Sequence, residues 1–129
     1  MSMRCSRFRG RIDDARAFAL QHRTLLLVAS NRIHLDVALG AMPFEERTVE
    51  RASAFALGDG RSLTTCSAED LVVHKAFAGR DKDWLDVRGI VTRQGAALDR
   101  ALIWEELSPL LELRDDATTE PRLRGLLDR

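Results

Sequence analysis

Ile33-His34-Leu35-Asp36-Val37-Ala38-Leu39-Gly40 is the stretch whose reading decides the fold. Ile33, Leu35, Val37 and Leu39 alternate with His34, Asp36 and Ala38, the period of two that marks a β-strand. Its apolar character predicts a buried strand, and a carboxylate seated there needs a partner or a task. Asp36 leaves the face opposite the aliphatic ladder, with His34 beside it.

Upstream, Thr24 to Ala29 (TLLLVA) is a second apolar run, and Ser30-Asn31-Arg32 is short enough to join the two as an antiparallel hairpin. Before it, Arg11 to His22 places Ile12, Ala15, Phe18 and Ala19 on one helical face, with Asp13 and Asp14 suited to the first turn. The arginine-rich start, MSMRCSRFRG, has no periodicity and reads as an arm or the remnant of an upstream element. Downstream, Pro43 opens a short helix over FEERTVERA. Ser53 to Leu57 and Ser62 to Cys66 flank GDGR, a turn sequence, and form a second hairpin.

The second half is helical. Ser67 is placed to cap a helix that carries Asp70, Leu71, Val72 and Lys75 and stops at Gly79. Helices follow over Asp81 to Arg93, Leu98 to Leu113, where Pro109 predicts a kink or a split, and Glu120 to Leu127. The fold class is α+β: two β-hairpins forming a small mixed or antiparallel sheet, then a set of helices. One domain is expected over residues 1–129, with a helix-plus-sheet part at 11–66 and a helical part at 67–129.

Charge narrows the function. The 129 residues carry 20 basic and 20 acidic side chains, so no net field favours nucleic acid or an anionic membrane. No apolar run approaches the roughly 20 residues that span a bilayer, and no signal core follows the N-terminal arginines, so a cytoplasmic chain is expected. Cys5 and Cys66 are then expected as reduced thiols. Cys66 is read as packing in the core, and Trp84 and Trp104 as core anchors on their helices.

IHLDVALGAMPFEERTVERA followed by TTCSAEDLVVHKAFAGRDKDWLDVRGIVTRQG resembles the minimal and toxin-type bacterial nucleotidyltransferases akin to abortive-infection toxins. The resemblance rests on a strand with an inward Asp, a Pro-Phe-Glu segment, a Ser-x-Glu-Asp-Leu helix start, an internal Lys and a Gly-Arg-x-Lys-Asp-x-x-Asp turn. It runs over about Arg11 to Leu113. It implies a nucleotidyltransferase-like fold and transfer of a nucleoside monophosphate from an NTP to a protein or RNA hydroxyl. It also implies that Asp36 is a catalytic carboxylate and Mg²⁺ ligand. Lys75 would reach the nucleotide phosphates or Asp36, within about 4 Å of that carboxylate, and Arg80 and Asp83 would line the nucleotide site.

Each of these residues has a plainer reading. Asp36 and His34 suit a solvated strand face, Lys75 suits a lysine snorkelling at the edge of an apolar helix face, and Asp83 and Asp86 suit the first turn of a helix.

The chain also departs from the family. Nothing before Asp36 supplies the Gly-Ser helix start that cradles phosphates or the Asp-x-Asp strand that shares two Mg²⁺ ions with the third carboxylate, and one carboxylate cannot hold two hard octahedral ions. The expectation is therefore a nucleotidyltransferase-like chain that begins after the first two strands and is catalytically incomplete by itself. The alternative is a non-catalytic interaction module or toxin-antitoxin-type regulatory remnant. Loss of two strands would uncover a sheet edge, so a homodimer is the expected partner state.

Overall fold

A computed structural model describes residues 7–128 of the chain. It is α+β, with small antiparallel sheets and several helices. The residues form two compact units that divide between Glu46 and Arg47.

The first unit is a three-stranded antiparallel sheet in the order β1-β2-β3, with β1 at Phe8–Gly10, β2 at Thr24–Ala29 and β3 at His34–Ala38. The end of the expected arm is thus a short strand, which pairs Phe8 with Ala29 and Gly10 with Leu27. Helix α1, Ala15–His22, begins later than Arg11 because Asp14 caps it, its carboxylate accepting the Ala17 N–H at 3.0 Å. The hairpin register pairs Val28 with His34, Leu27 with Leu35, Leu26 with Asp36 and Leu25 with Val37. Alternation identified β3 correctly as a strand but not as a buried one. Every residue of β3 is exposed, with Leu35 at 37% and Val37 at 41%, because β3 is an edge strand.

Helix α2, Pro43–Glu50, spans the division between the units. In the second unit β4, Ser53–Gly58, and β5, Arg61–Thr65, pair, among the described residues, only with each other, so the two hairpins build two separate sheets rather than the single one expected. The turn between them carries Gly58 at φ 84°, Asp59 at 48° and Gly60 at 78°, a left-handed run that glycine relieves. Phe55 and Leu63 face each other across this hairpin and both are exposed.

Four helices make the core of the second unit: α3 at Ala68–Ala78, α4 at Asp81–Gln94, α5 at Arg100–Arg114 and α6 at Thr119–Leu127. Val72, Val73, Ala76, Trp84, Val87, Ile103, Leu107 and Leu123 are buried among them. Ser67 caps α3 as its spacing predicts, accepting the Asp70 N–H at 3.0 Å, and Gly79 ends the helix at φ 69°. Pro109 does not split α5. Pro109 and Glu105 both lie on the solvent side, so the helix accommodates the missing N–H there while Ile103, Leu107, Leu110 and Leu111 hold the opposite face in the core. Trp84 is buried and donates Nε1–H to the Gly79 carbonyl at 3.2 Å, and Trp104, half-buried, has the Arg124 guanidinium over its ring at 4.5 Å. Among the described residues no helix is long and apolar enough to cross a membrane.

Candidate functional site

Asp36 stands in the middle of β3, and the hairpin register lays it beside Leu26. The Arg11 N–H donates to the Leu26 carbonyl at 3.0 Å, which brings the Arg11 side chain to the same place, and its Nη2 donates to Asp36 Oδ1 at 2.7 Å. Asp36 is 63% exposed, so this is a surface ion pair, which ordinarily contributes about 0–1 kcal/mol. Asp36 thus has a partner, and the partner is a cation from its own unit.

That arrangement bears on Mg²⁺. A hard divalent cation is held by several oxygen ligands, and a two-ion site by carboxylates shared between the ions. Asp36 offers one carboxylate already bonded to a guanidinium, and His34 is a poor ligand for this metal. Among the described residues no group of three or more His, Cys, Asp or Glu side chains gathers to hold a metal. The donor set at Asp36 therefore does not fit the two-ion centre that the resemblance implies.

The other three expected site residues do meet. Lys75 lies in the last turn of α3, and Arg80 is the N-cap of α4, set just past the left-handed Gly79. Asp83, fully buried in the first turn of α4, accepts the Arg80 backbone N–H at 3.2 Å, Arg80 Nε at 2.6 Å and Arg80 Nη2 at 3.1 Å. Lys75 Nζ donates to Asp86 Oδ2 at 2.7 Å and to Asp83 Oδ1 at 3.4 Å. The spacing explains the meeting. Gly79 turns the chain, the next helix starts at once, and positions 83 and 86 share one face that looks back at the end of α3.

The electrostatics of this cluster are those of a closed set. The Arg80 guanidinium, and then the Lys75 ammonium, hold the Asp83 carboxyl well below its ordinary value, at about 2, against the opposing effect of burial. Asp86, and then Asp83, raise the Lys75 ammonium, so it stays charged and is not available as a base. Its ammonium is held between two carboxylates of its own unit, while Asp36 belongs to the other unit and has its own cation.

A second cluster was not read from the sequence. Arg51, just past the end of α2, reaches Asp70 of α3 through Nε at 3.1 Å and Nη2 at 2.5 Å, and Glu106 of α5 through Nη1 at 2.8 Å. Arg47, one turn earlier, forks onto Glu106 with Nε at 2.9 Å and Nη2 at 2.5 Å. Ser67 Oγ donates to Asp70 Oδ2 at 3.0 Å. Asp70 and Glu106 are both buried and both ion-paired with arginine, and Arg47 first and Arg51 next hold the Glu106 carboxyl below its ordinary value. The signal was present in pieces: arginines four apart on and just after α2 and an Asp three residues after a cap, with nothing local to join them.

Cys66, half-buried just before α3, is free, and burial pushes its thiol up, which suits an inert side chain rather than a nucleophile. Cys5 lies outside the described residues. Comparison of the chain with protein-family models, with curated proteins and with solved structures gives no match.

Proposed function

We propose that this chain is a nucleotidyltransferase-like module that does not transfer nucleotides by itself and acts through contacts with other protein surfaces. One observation carries the reading: the charged residues that the resemblance assigns to the nucleotide site are all committed to one another or to Arg11. Nucleotidyl transfer forms a bond from a hydroxyl oxygen to the α-phosphorus, breaks the bond to the β-phosphate, and releases pyrophosphate and a proton. That needs charge aimed at the phosphates and a base at the hydroxyl. Lys75 and Arg80 neutralise Asp83 and Asp86 instead, and Asp36 faces solvent with a guanidinium on one oxygen.

The ancestry half of the reading is supported by the way Lys75 and the Arg-x-Lys-Asp-x-x-Asp turn form one cluster. The interaction half is supported by apolar side chains exposed on both hairpins: Ile33, Leu35 and Val37 on one, Phe55, Leu57 and Leu63 on the other. The test is incubation of the chain with Mg²⁺ and each α-labelled NTP, with the chain itself and bulk RNA as acceptors. No label is expected on either. Label that disappears in Asp36→Ala and in Lys75→Ala would overturn the reading.

A further inference from the structure

Strand β3 has a free edge among the described residues, since the sheet order is β1-β2-β3. Which backbone groups face that edge follows from the ladder. The Ala29 N–H donates to the Ile33 carbonyl at 2.8 Å and the Leu39 N–H to the Arg23 carbonyl at 2.7 Å, so the odd-numbered residues of β3 bond inward to β2. In an antiparallel ladder the alternate residues point the other way. The N–H and C=O groups of His34, Asp36 and Ala38 therefore face outward, a template for another strand.

We infer that the occupant of this edge is a second copy of the same strand, paired antiparallel about a two-fold axis at Leu35, with His34 opposite Asp36 of the second copy. This deepens the reading of the chain as an interaction module by naming the surface and the partner, and it rests on that reading.

Outward-facing residues must pair with outward-facing residues, so only even-numbered positions can bond across the new edge. That leaves few registers. An axis at Asp36 sets two aspartates directly opposite each other, which is unfavourable. An axis at Val37 sets Asp36 against Ala38 and leaves His34 beyond the strand's end. An axis at His34 would need Arg32 to continue the ladder, but Arg32 has a left-handed φ of 66° and belongs to the turn. With the axis at Leu35, each His34 meets an Asp36 in a hydrogen-bonded pair, and this happens twice by symmetry. On the other face Leu35 meets its own copy and Ile33 meets Val37, so the exposed aliphatic side chains of both copies merge into one apolar face. Charge complementarity, backbone polarity and the apolar pattern select the same register. Arg11 bonds Asp36 through Oδ1 from beside Leu26, and the carboxylate, 63% exposed, can still accept from His34.

Sedimentation equilibrium of the full chain, followed by cysteine trapping, tests this. A mass of about twice the 14.5 kDa of one chain is expected. In a Cys5→Ser, Cys66→Ser background, Leu35→Cys is expected to cross-link quantitatively under mild oxidation. Its two Cα atoms sit at the roughly 4.5 Å of a non-hydrogen-bonded pair, inside disulfide range. Val37→Cys is expected to stay uncross-linked, since the two cysteines would lie about 13 Å apart. His34→Asp is expected to give a monomer, and His34→Asp with Asp36→His to restore the dimer. A wild-type monomer that performs NTP transfer would overturn this proposal and the functional reading together. A wild-type monomer without transfer, or a dimer in which Val37→Cys cross-links as readily as Leu35→Cys, would overturn the β3 pairing alone.

Discussion

Arg51→Met is expected to destabilise the second unit by about 3 kcal/mol, and Arg47→Met to cost clearly less. The difference comes from what each substitution leaves behind. Asp70 is 0% exposed, and without Arg51 its carboxylate keeps the Ser67 hydroxyl but has lost its cation. Breaking a buried pair by removing one partner costs about 3–5 kcal/mol, and the lower end applies because Arg51 is 28% exposed and water can follow it in. Removing Arg47, which is 47% exposed, leaves Glu106 still bonded to Arg51 at 2.8 Å, so no buried charge is orphaned. Urea unfolding followed by the fluorescence of Trp84 and Trp104 reads this, because both tryptophans lie on helices of that unit. With an m-value of about 1 kcal/mol/M for a unit of this size, Arg51→Met moves the midpoint down by about 3 M, and Arg47→Met by a small part of that. Equal shifts for the two substitutions would refute the reasoning, since it depends on the orphaned Asp70 and not on the number of arginines removed.

Acid should weaken the same unit. Asp83 is held at about 2 by Arg80 and Lys75, and Glu106 is lowered by Arg47 and Arg51, so both bind protons more readily unfolded than folded. Their stabilisation is full above about pH 5 and is lost as pH falls toward about 2. Urea midpoints at intervals between those limits should fall steadily, and the Asp83→Asn variant should fall less steeply; a pH-independent midpoint would contradict this. Ile103→Ala, at a fully buried position of α5, should cost about 2–5 kcal/mol, whereas Leu113→Ala, exposed on the same helix, should leave the midpoint nearly unchanged. Gly79→Ala should cost about 1 kcal/mol because it forces a side chain into the left-handed turn at φ 69°, read by the same titration.

What the sequence disclosed is what short-range chemistry determines. Ser67 capping Asp70, Gly79 ending α3 and the GDGR turn each depend on residues within a few positions, and all three are found where the spacing places them. Arg80, Asp83 and Asp86 were legible as one helix start for the same reason, but Lys75 was expected to reach the nucleotide phosphates or Asp36, and its bonds to Asp83 and Asp86 across the Gly79 turn were not foreseen. Two further things were not legible. Alternation in IHLDVALG identifies a strand but not what covers it, so β3 was read as buried when it is an exposed edge. The bonds from Arg47 and Arg51 to Glu106 join residues more than fifty positions apart, and no local pattern couples a helix to one so far along the chain. Pro109 shows the converse: a strong local breaker yielded to a helix face held in the core.

Titration calorimetry of the whole chain with Mg²⁺ and each of ATP, GTP, CTP and UTP tests the central claim most directly. A chain whose Lys75 and Arg80 are bound to Asp83 and Asp86, and whose Asp36 is bound to Arg11, should give no binding heat at micromolar nucleotide. A micromolar isotherm for any of the four that vanishes in Asp36→Ala would contradict the account, because it would mean that these side chains leave one another to form a working nucleotide site.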